Sequence, residues 1–131
     1  MTLEDTFKKV KRASKTLALI SDDKRNDILN AVADAIVTDK ERILAANKDD
    51  LEKAGKDYAF YDRLLLTPER LDDIAADMRH VATLPSPLGK VLKEKTLENG
   101  LHLKRVSVPF GVIGMIFEAR PNVTFDVFSL C

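Results

Sequence analysis

Apolar residues recur at helical spacing through the first two-thirds of the chain, and then the period changes. Leu3, Phe7, Val10, Leu17 and Ile20 fall near one helical face, and Ile28, Leu29, Val32, Ala35 and Ile36 fall on another. Ser21 is placed to cap the second of these helices, with Asp22 and Asp23 at its positive dipole end. Thr38 or Asp39 restarts a third helix through Ile43 and Leu44, and Asn47 caps a short one that ends near Gly55. Tyr58 to Leu66 predicts a further short helix. Thr67-Pro68 then pairs a cap with a proline at the first helical position. Leu71, Ile74, Ala75, Met78, Val81 and Ala82 form one apolar stripe, and the turn residues from Leu84 to Gly89 end the helical section.

Beyond that break the pattern is that of strands. Val91 to Thr96 is a strand candidate, Asn99-Gly100 signals a hairpin, and Leu101 and Leu103 alternate with His102 and Lys104. The phase then flips to Val106 and Val108, which predicts a bulge near Arg105, and Pro109 fits an edge or a bend. Val112 to Phe117 is apolar without alternation, as a strand covered on both faces would be. A lone buried strand cannot satisfy its own backbone donors and acceptors. The expected fold class is therefore α/β, with this chain as the N-terminal piece of a larger enzyme whose further strands lie beyond Cys131. After the strand, Pro121-Asn122 marks the turn into a helix, the kind of place where α/β proteins bind ligands.

Composition narrows the function classes. At 131 residues the chain can bury one core, and its 21 basic and 21 acidic residues give a formal net charge of zero. No global field draws it to nucleic acid or to an anionic membrane. The basic run Lys8-Lys9-Val10-Lys11-Arg12 with Lys15 sits on a helical pattern that also carries Glu4 and Asp5, and reads as a solvated face. No apolar stretch is long enough to span a bilayer, and no signal or transit pattern opens the chain. One cysteine forms no internal disulfide, so the expected setting is the cytoplasm. His80 and His102 lack ligand spacing, and no metal site is expected. The acidic pairs Asp22-Asp23, Asp49-Asp50 and Asp72-Asp73 read as dipole compensation at helix starts.

Several residues near the end of the chain carry two readings each. Asn122, just past a strand end, could donate its amide N–H to a developing negative charge, or it, or Thr124, could merely cap the next helix. Gly111 and Gly114 could admit a ligand or a neighbouring backbone, or mark a bulge. Cys131, the only thiol, lies in an apolar pattern with Val123, Val127 and Leu130 and reads as a small buried hydrophobe rather than a nucleophile.

Four stretches carry a family resemblance: Ile43-Leu-Ala-Ala-Asn-Lys-Asp-Asp-Leu51, Asp62-Arg-Leu-Leu-Leu-Thr67, Val108-Pro-Phe-Gly-Val-Ile-Gly114 and Phe117-Glu-Ala-Arg-Pro-Asn-Val-Thr124. In these the chain resembles the glutamate-5-semialdehyde dehydrogenases, or γ-glutamyl phosphate reductases, of the aldehyde dehydrogenase superfamily. The resemblance implies an aldehyde-dehydrogenase-like fold. Residues 1–98 would be the helical N-terminal part of the NADPH-binding domain and residues 99–110 a hairpin and oligomerisation strand. Residues 111–131 would hold the first buried strand of a Rossmann-like cofactor domain and the start of its following helix.

It also implies a reaction, the NADPH-dependent reduction of L-glutamyl 5-phosphate to L-glutamate 5-semialdehyde in proline synthesis. A cysteine thiolate displaces phosphate from the acyl group, and hydride transfer to the resulting thioester releases the aldehyde. The resemblance tips Asn122 towards the oxyanion role and assigns Glu118, Ala119, Arg120 and Pro121 to cofactor contact. Arg120 suits phosphate equally well as it suits a surface salt bridge. Cys131 matches a non-catalytic position, so the nucleophile would lie beyond this chain and the isolated chain would be inactive. The implied partners are a small-molecule substrate and further copies of the chain, with neither nucleic acid nor membrane. Two alternatives stand beside this reading: a non-enzymatic helical interaction module, and another acyl-phosphate or aldehyde reductase of the same superfamily.

Overall fold

The computed structural model describes residues 2–118 and 120–131. Those residues gather into two compact units, one drawing on the segments up to Ile20 and from Pro85 to Ile113, the other on Ser21–Leu84 and Gly114–Cys131.

The first unit holds helix α1 (Leu3–Leu17) and the antiparallel strands β1 (Val91–Thr96) and β2 (His102–Val106). Thr2 opens α1 with a reciprocal cap: its Oγ1 accepts from the Asp5 N–H at 3.2 Å, and its own N–H donates to Asp5 Oδ2 at 3.0 Å. The apolar face predicted for α1 is present but not covered, for no residue of this helix is buried. Between the strands, the Gly100 N–H donates to the Leu97 carbonyl at 2.9 Å, and Gly100 has φ 81°. This is the three-residue hairpin in which a left-handed residue follows the turn, and glycine takes that conformation at no steric cost. Glu94 stands opposite Lys104 and pairs with it at 3.1 Å. The irregularity expected near Arg105 lies opposite it. Val91 pairs with Val106 and Lys93 with Arg105, so the extra residue is Leu92 on β1.

The second unit is helical: α2 (Asp22–Thr38), α3 (Lys40–Ala54), α4 (Tyr61–Leu64), α5 (Pro68–Val81) and α6 (Pro121–Leu130). Ser21 and Thr67 cap α2 and α5 as their sequences predict, each hydroxyl accepting a backbone N–H at 3.2 Å. The stripe on α5 is the centre of the core. Leu71, Ile74, Ala75, Met78 and Ala82 are buried, while Val81 stays half-exposed. Ala33 of α2 and Ala75 of α5 are both fully buried, and such small residues let two helices approach closely where Ile36 and Met78 fill the flanks. Ion pairs border this core, Arg79 with Asp34 at 2.7 Å and Lys40 with Asp72 at 2.5 Å.

Several expectations are corrected. Asn47 caps nothing, because α3 runs unbroken from Lys40 to Ala54 with Asn47 buried inside it. Ile43, Asn47 and Leu51 share one helical face, so Asn47 points where an apolar residue would otherwise sit. Its amide is paired on both sides. Nδ2 donates to the Leu64 carbonyl at 2.8 Å, and Oδ1 accepts from the Leu66 N–H at 2.8 Å. The predicted helix from Tyr58 to Leu66 shrinks to the single turn of α4, and Asn47 Oδ1 takes the Leu66 N–H that a helix through Leu66 would donate to the Asp62 carbonyl.

Of the acidic pairs, only Asp22-Asp23 lies in a first turn. Asp49-Asp50 falls late in α3 and Asp72-Asp73 beyond the first turn of α5, where Asp50 and Asp72 pair with Lys53 and Lys40. Val112 to Phe117, expected as a buried strand, forms no strand, and all its apolar side chains are exposed, Ile116 almost completely. A strand needs ladder partners for its N–H and C=O groups, and the two-stranded sheet of β1 and β2 offers this segment none. Cys131 is likewise exposed at the end of α6 rather than buried within it.

Two measurements check this fold. Asn47→Ala strands a buried backbone N–H and a carbonyl, and we expect a loss of about 1–3 kcal/mol in denaturant unfolding, against less than about 0.5 kcal/mol for an exposed α3 position such as Lys48→Ala. Asp5 is held below its ordinary carboxylate value by the hydrogen bonds from Thr2. The stability this gives α1 is present above the unfolded-state pKa and is lost as pH falls through the lowered one. Carboxyl NMR titration should find Asp5 low in the native chain and raised in Thr2→Ala.

Candidate functional site

The second unit carries a cleft of about 410 Å³ where α6 begins. Its lining joins Arg120, Pro121 and Asn122 to Asp62, Arg63 and Leu65 from the segment around α4, and to Arg70, Asp73, Ile74 and Asp77 from α5. The cleft therefore brings together the turn singled out in the sequence and the Asp62–Thr67 stretch, which had been notable only for its resemblance.

The turn enters α6 in a specific way. Arg120 occupies the cap position in extended conformation, and its N–H donates to the Glu118 carbonyl at 2.6 Å. Pro121 follows at the first helical position, where it has no N–H to leave unpaired. No side chain caps the helix. Neither Asn122 nor Thr124 is the cap, so that alternative for Asn122 is not the one the structure takes. The Asn122 amide is exposed and lies 3.5 Å from Asp126 Oδ2, a contact at the limit of a hydrogen bond. Its N–H groups are free to turn towards another acceptor. Ala119 lies outside the described residues.

The charges around the cleft are divided between engaged and open groups. Arg70 is engaged: Nη1 donates to the Asp62 and Leu65 carbonyls at 2.9 and 2.6 Å, and Nη2 lies 3.4 Å from Asp62 Oδ1. Arg63 lies 3.6 Å from Glu118 Oε2 and stacks over the Phe60 ring, 4.6 Å from its centroid. Among the described residues Arg120 makes no ion pair. A free guanidinium beside an uncapped helix N-terminus is a donor set suited to a phosphate oxygen, whereas Asp73 and Asp77 on the same lining, in no ion pair among the described residues, oppose an anion, so a phosphate fits only on the Arg120 side of the cleft.

The remaining candidates lie elsewhere. Gly111 has φ 98°, a conformation that explains glycine there without a ligand, and a Cβ at Gly111 or Gly114 would meet nothing within 4 Å. His102 Nδ1 lies 3.0 Å from Thr96 Oγ1 on the hairpin, and His80 is exposed in the last turn of α5. Among the described residues no group of three His, Cys, Asp or Glu side chains is placed to hold a metal, and no helix is long and apolar enough to cross a membrane.

Comparison with known proteins bears on the same residues. No family model matches the chain. The chain is 59% identical over 131 residues to the gamma-glutamyl phosphate reductase of Bacteroides fragilis, covering all of this chain and 32% of that protein. It is 53% identical over 135 residues to the enzyme of that name from Chlorobium luteolum. The crystal structure of gamma-glutamyl phosphate reductase from Thermotoga maritima superposes with a TM-score of 0.89 at 36% identity, over 94% of this chain and 30% of that one. That from Saccharomyces cerevisiae gives 0.89 at 33% identity, over 99% of this chain and 34% of that one. The chain is thus homologous along its whole length to these reductases, and it spans about a third of the length of the curated relatives it matches.

Proposed function

We propose that this chain forms part of a gamma-glutamyl phosphate reductase, an oxidoreductase of proline synthesis, and that the turn from Glu118 to Asn122 is its contribution to the active site. The observation that supports this reading is the 59% identity, over all of this chain and 32% of the relative, to a protein of that name, meeting an open Arg120 and an uncapped α6 at one cleft. The substrate in this reading is L-glutamyl 5-phosphate and the product L-glutamate 5-semialdehyde. The nucleophilic cysteine is supplied by the two-thirds of the relatives' length that this chain does not span, since Cys131 stands away from the cleft lining.

NADPH, when bound, supplies the hydride of the reduction. The chain's own residues bind and orient. Arg120 and the first turn of α6 hold a phosphate group, with Glu118 and Pro121 shaping the cofactor side of the turn and Ala119 assigned to the same side by resemblance. Asn122 Nδ2 donates a hydrogen bond to the acyl oxygen as the carbon beneath it becomes tetrahedral, first when the thiolate adds and again when the thioester is reduced. A neutral amide is the right donor for this: it needs no proton transfer, and it strengthens as charge grows on the oxygen. The amide's loose contact with Asp126 costs little to give up.

The hairpin supports a homo-oligomer. Every residue of β1 and β2 is exposed, and a bare two-stranded ribbon is marginal alone, so its free edges suit pairing with another copy. A cytoplasmic setting is part of this reading, supported by a single cysteine that forms no internal disulfide.

Asn122→Ala in the full-length protein tests the reading. We expect kcat to fall by about 100–1000-fold with KM for both substrates little changed. A change confined to KM, or a loss below about threefold, would remove Asn122 from the oxyanion role.

A further inference from the structure

The Asp62–Thr67 stretch has no part in the reaction as proposed, yet it forms one wall of the cleft and is held more firmly than its length predicts. Asn47 reaches it from inside α3 with two 2.8 Å bonds, to the Leu64 carbonyl and the Leu66 N–H. Arg70 holds it from α5 with bonds to the Asp62 and Leu65 carbonyls. Between them these two side chains engage Asp62, Leu64, Leu65 and Leu66, a segment that α4 alone would leave as one frayed turn.

The held segment is tied to the α6 region by one ion pair and one shared core. Arg63 pairs with Glu118 at 3.6 Å, and Leu66 belongs to the buried cluster against which Phe125 of α6 packs. Phe60 restricts where the Arg63 guanidinium can sit, with the ring 4.6 Å away and itself braced edge-on by Tyr58 at 5.8 Å. The packing contact of α6 lies at Phe125, midway along the helix, and the charged contact at Glu118, just before the turn that carries Arg120 and Asn122.

We infer that Arg63 is a positioning residue: presented by the Asn47–Arg70 clamp, it fixes Glu118 and thereby the angle at which Arg120 and Asn122 enter the cleft. The inference rests on the proposed role of Asn122 for its effect on rate, but not for its effect on the turn. Arg63 and Glu118 are both about half exposed, so the effect is bounded by what such a pair contributes.

The test uses the full-length protein with Arg63→Met, Arg63→Lys, Glu118→Gln and the Arg63→Met/Glu118→Gln double variant, read by steady-state kinetics and by hydrogen exchange of residues 120–125. We expect Arg63→Met to lower kcat by up to about fivefold, the rate equivalent of an exposed ion pair, with any rise in KM for the acyl phosphate or NADPH no larger than that, since Arg120 shifts together with Asn122. Arg63→Lys should recover most of the loss, and Arg63→Met should cost nothing further once Glu118 is Gln. Exchange at 120–125 should quicken in Arg63→Met while that of the α5 core, Leu71 to Met78, is unchanged.

A rise in KM for either ligand at unchanged kcat would make Arg63 a direct ligand contact and overturn the inference. So would equal losses with and without Glu118, or unchanged exchange at 120–125. If exchange there responds while Asn122→Ala is fully active, the positioning stands and the oxyanion assignment falls.

Discussion

The two hydrogen bonds of Asn47 set the arrangement of the second unit. A buried amide with unpaired groups would cost more than the helix position is worth, and here both its donor and its acceptor are met by backbone atoms two residues apart. That pairing fixes where the chain leaves α4, and so where Thr67 can cap α5. The register of α5 places Leu71, Ile74, Ala75 and Met78 against α2. Among the described residues no buried side-chain nitrogen or oxygen lacks a partner. The polar interior is small and complete, the condition under which it specifies one packing rather than weakening it.

Elsewhere, among the described residues, apolar segments lack the partners their composition calls for. Val112 to Phe117 has the composition of a strand buried on both faces, yet its apolar side chains stay about half exposed or more. Composition describes what a segment is suited to, whereas a strand exists only when neighbouring backbones complete its ladder. The same holds for α1 and for the hairpin, whose apolar residues stay exposed while their local geometry is well formed. Relatives about three times as long as this chain have the material to supply such neighbours.

Elements governed by local chemistry were legible in the sequence. Ser21, Thr67-Pro68 and Asn99-Gly100 each act through neighbours a few residues away, and the structure places each as its pattern predicts. The misreadings share a cause. Asn47 looks like a cap because asparagine at a helix start is common, and nothing local reveals that backbone groups at positions 64 and 66 come to meet it. The apolar character of Cys131 and Val112–Phe117 does not report whether a covering surface is at hand. At the site, the turn at Arg120–Asn122 was visible because Pro-Asn after an apolar run is distinctive. Arg63, Arg70 and Asp73 were not, because only the folding of α4 and α5 brings them to the same cleft.

In the proposed reading this chain brings an orienting turn to a reductase, and the nucleophile lies outside residues 1–131. The direct measurement is phosphate-dependent oxidation of glutamate 5-semialdehyde, followed by NADP reduction, on the isolated 131-residue chain and on the longer protein that carries it. The account predicts activity in the longer protein and none in the chain alone. Turnover by the isolated chain, or a longer protein inert towards this aldehyde, would contradict it.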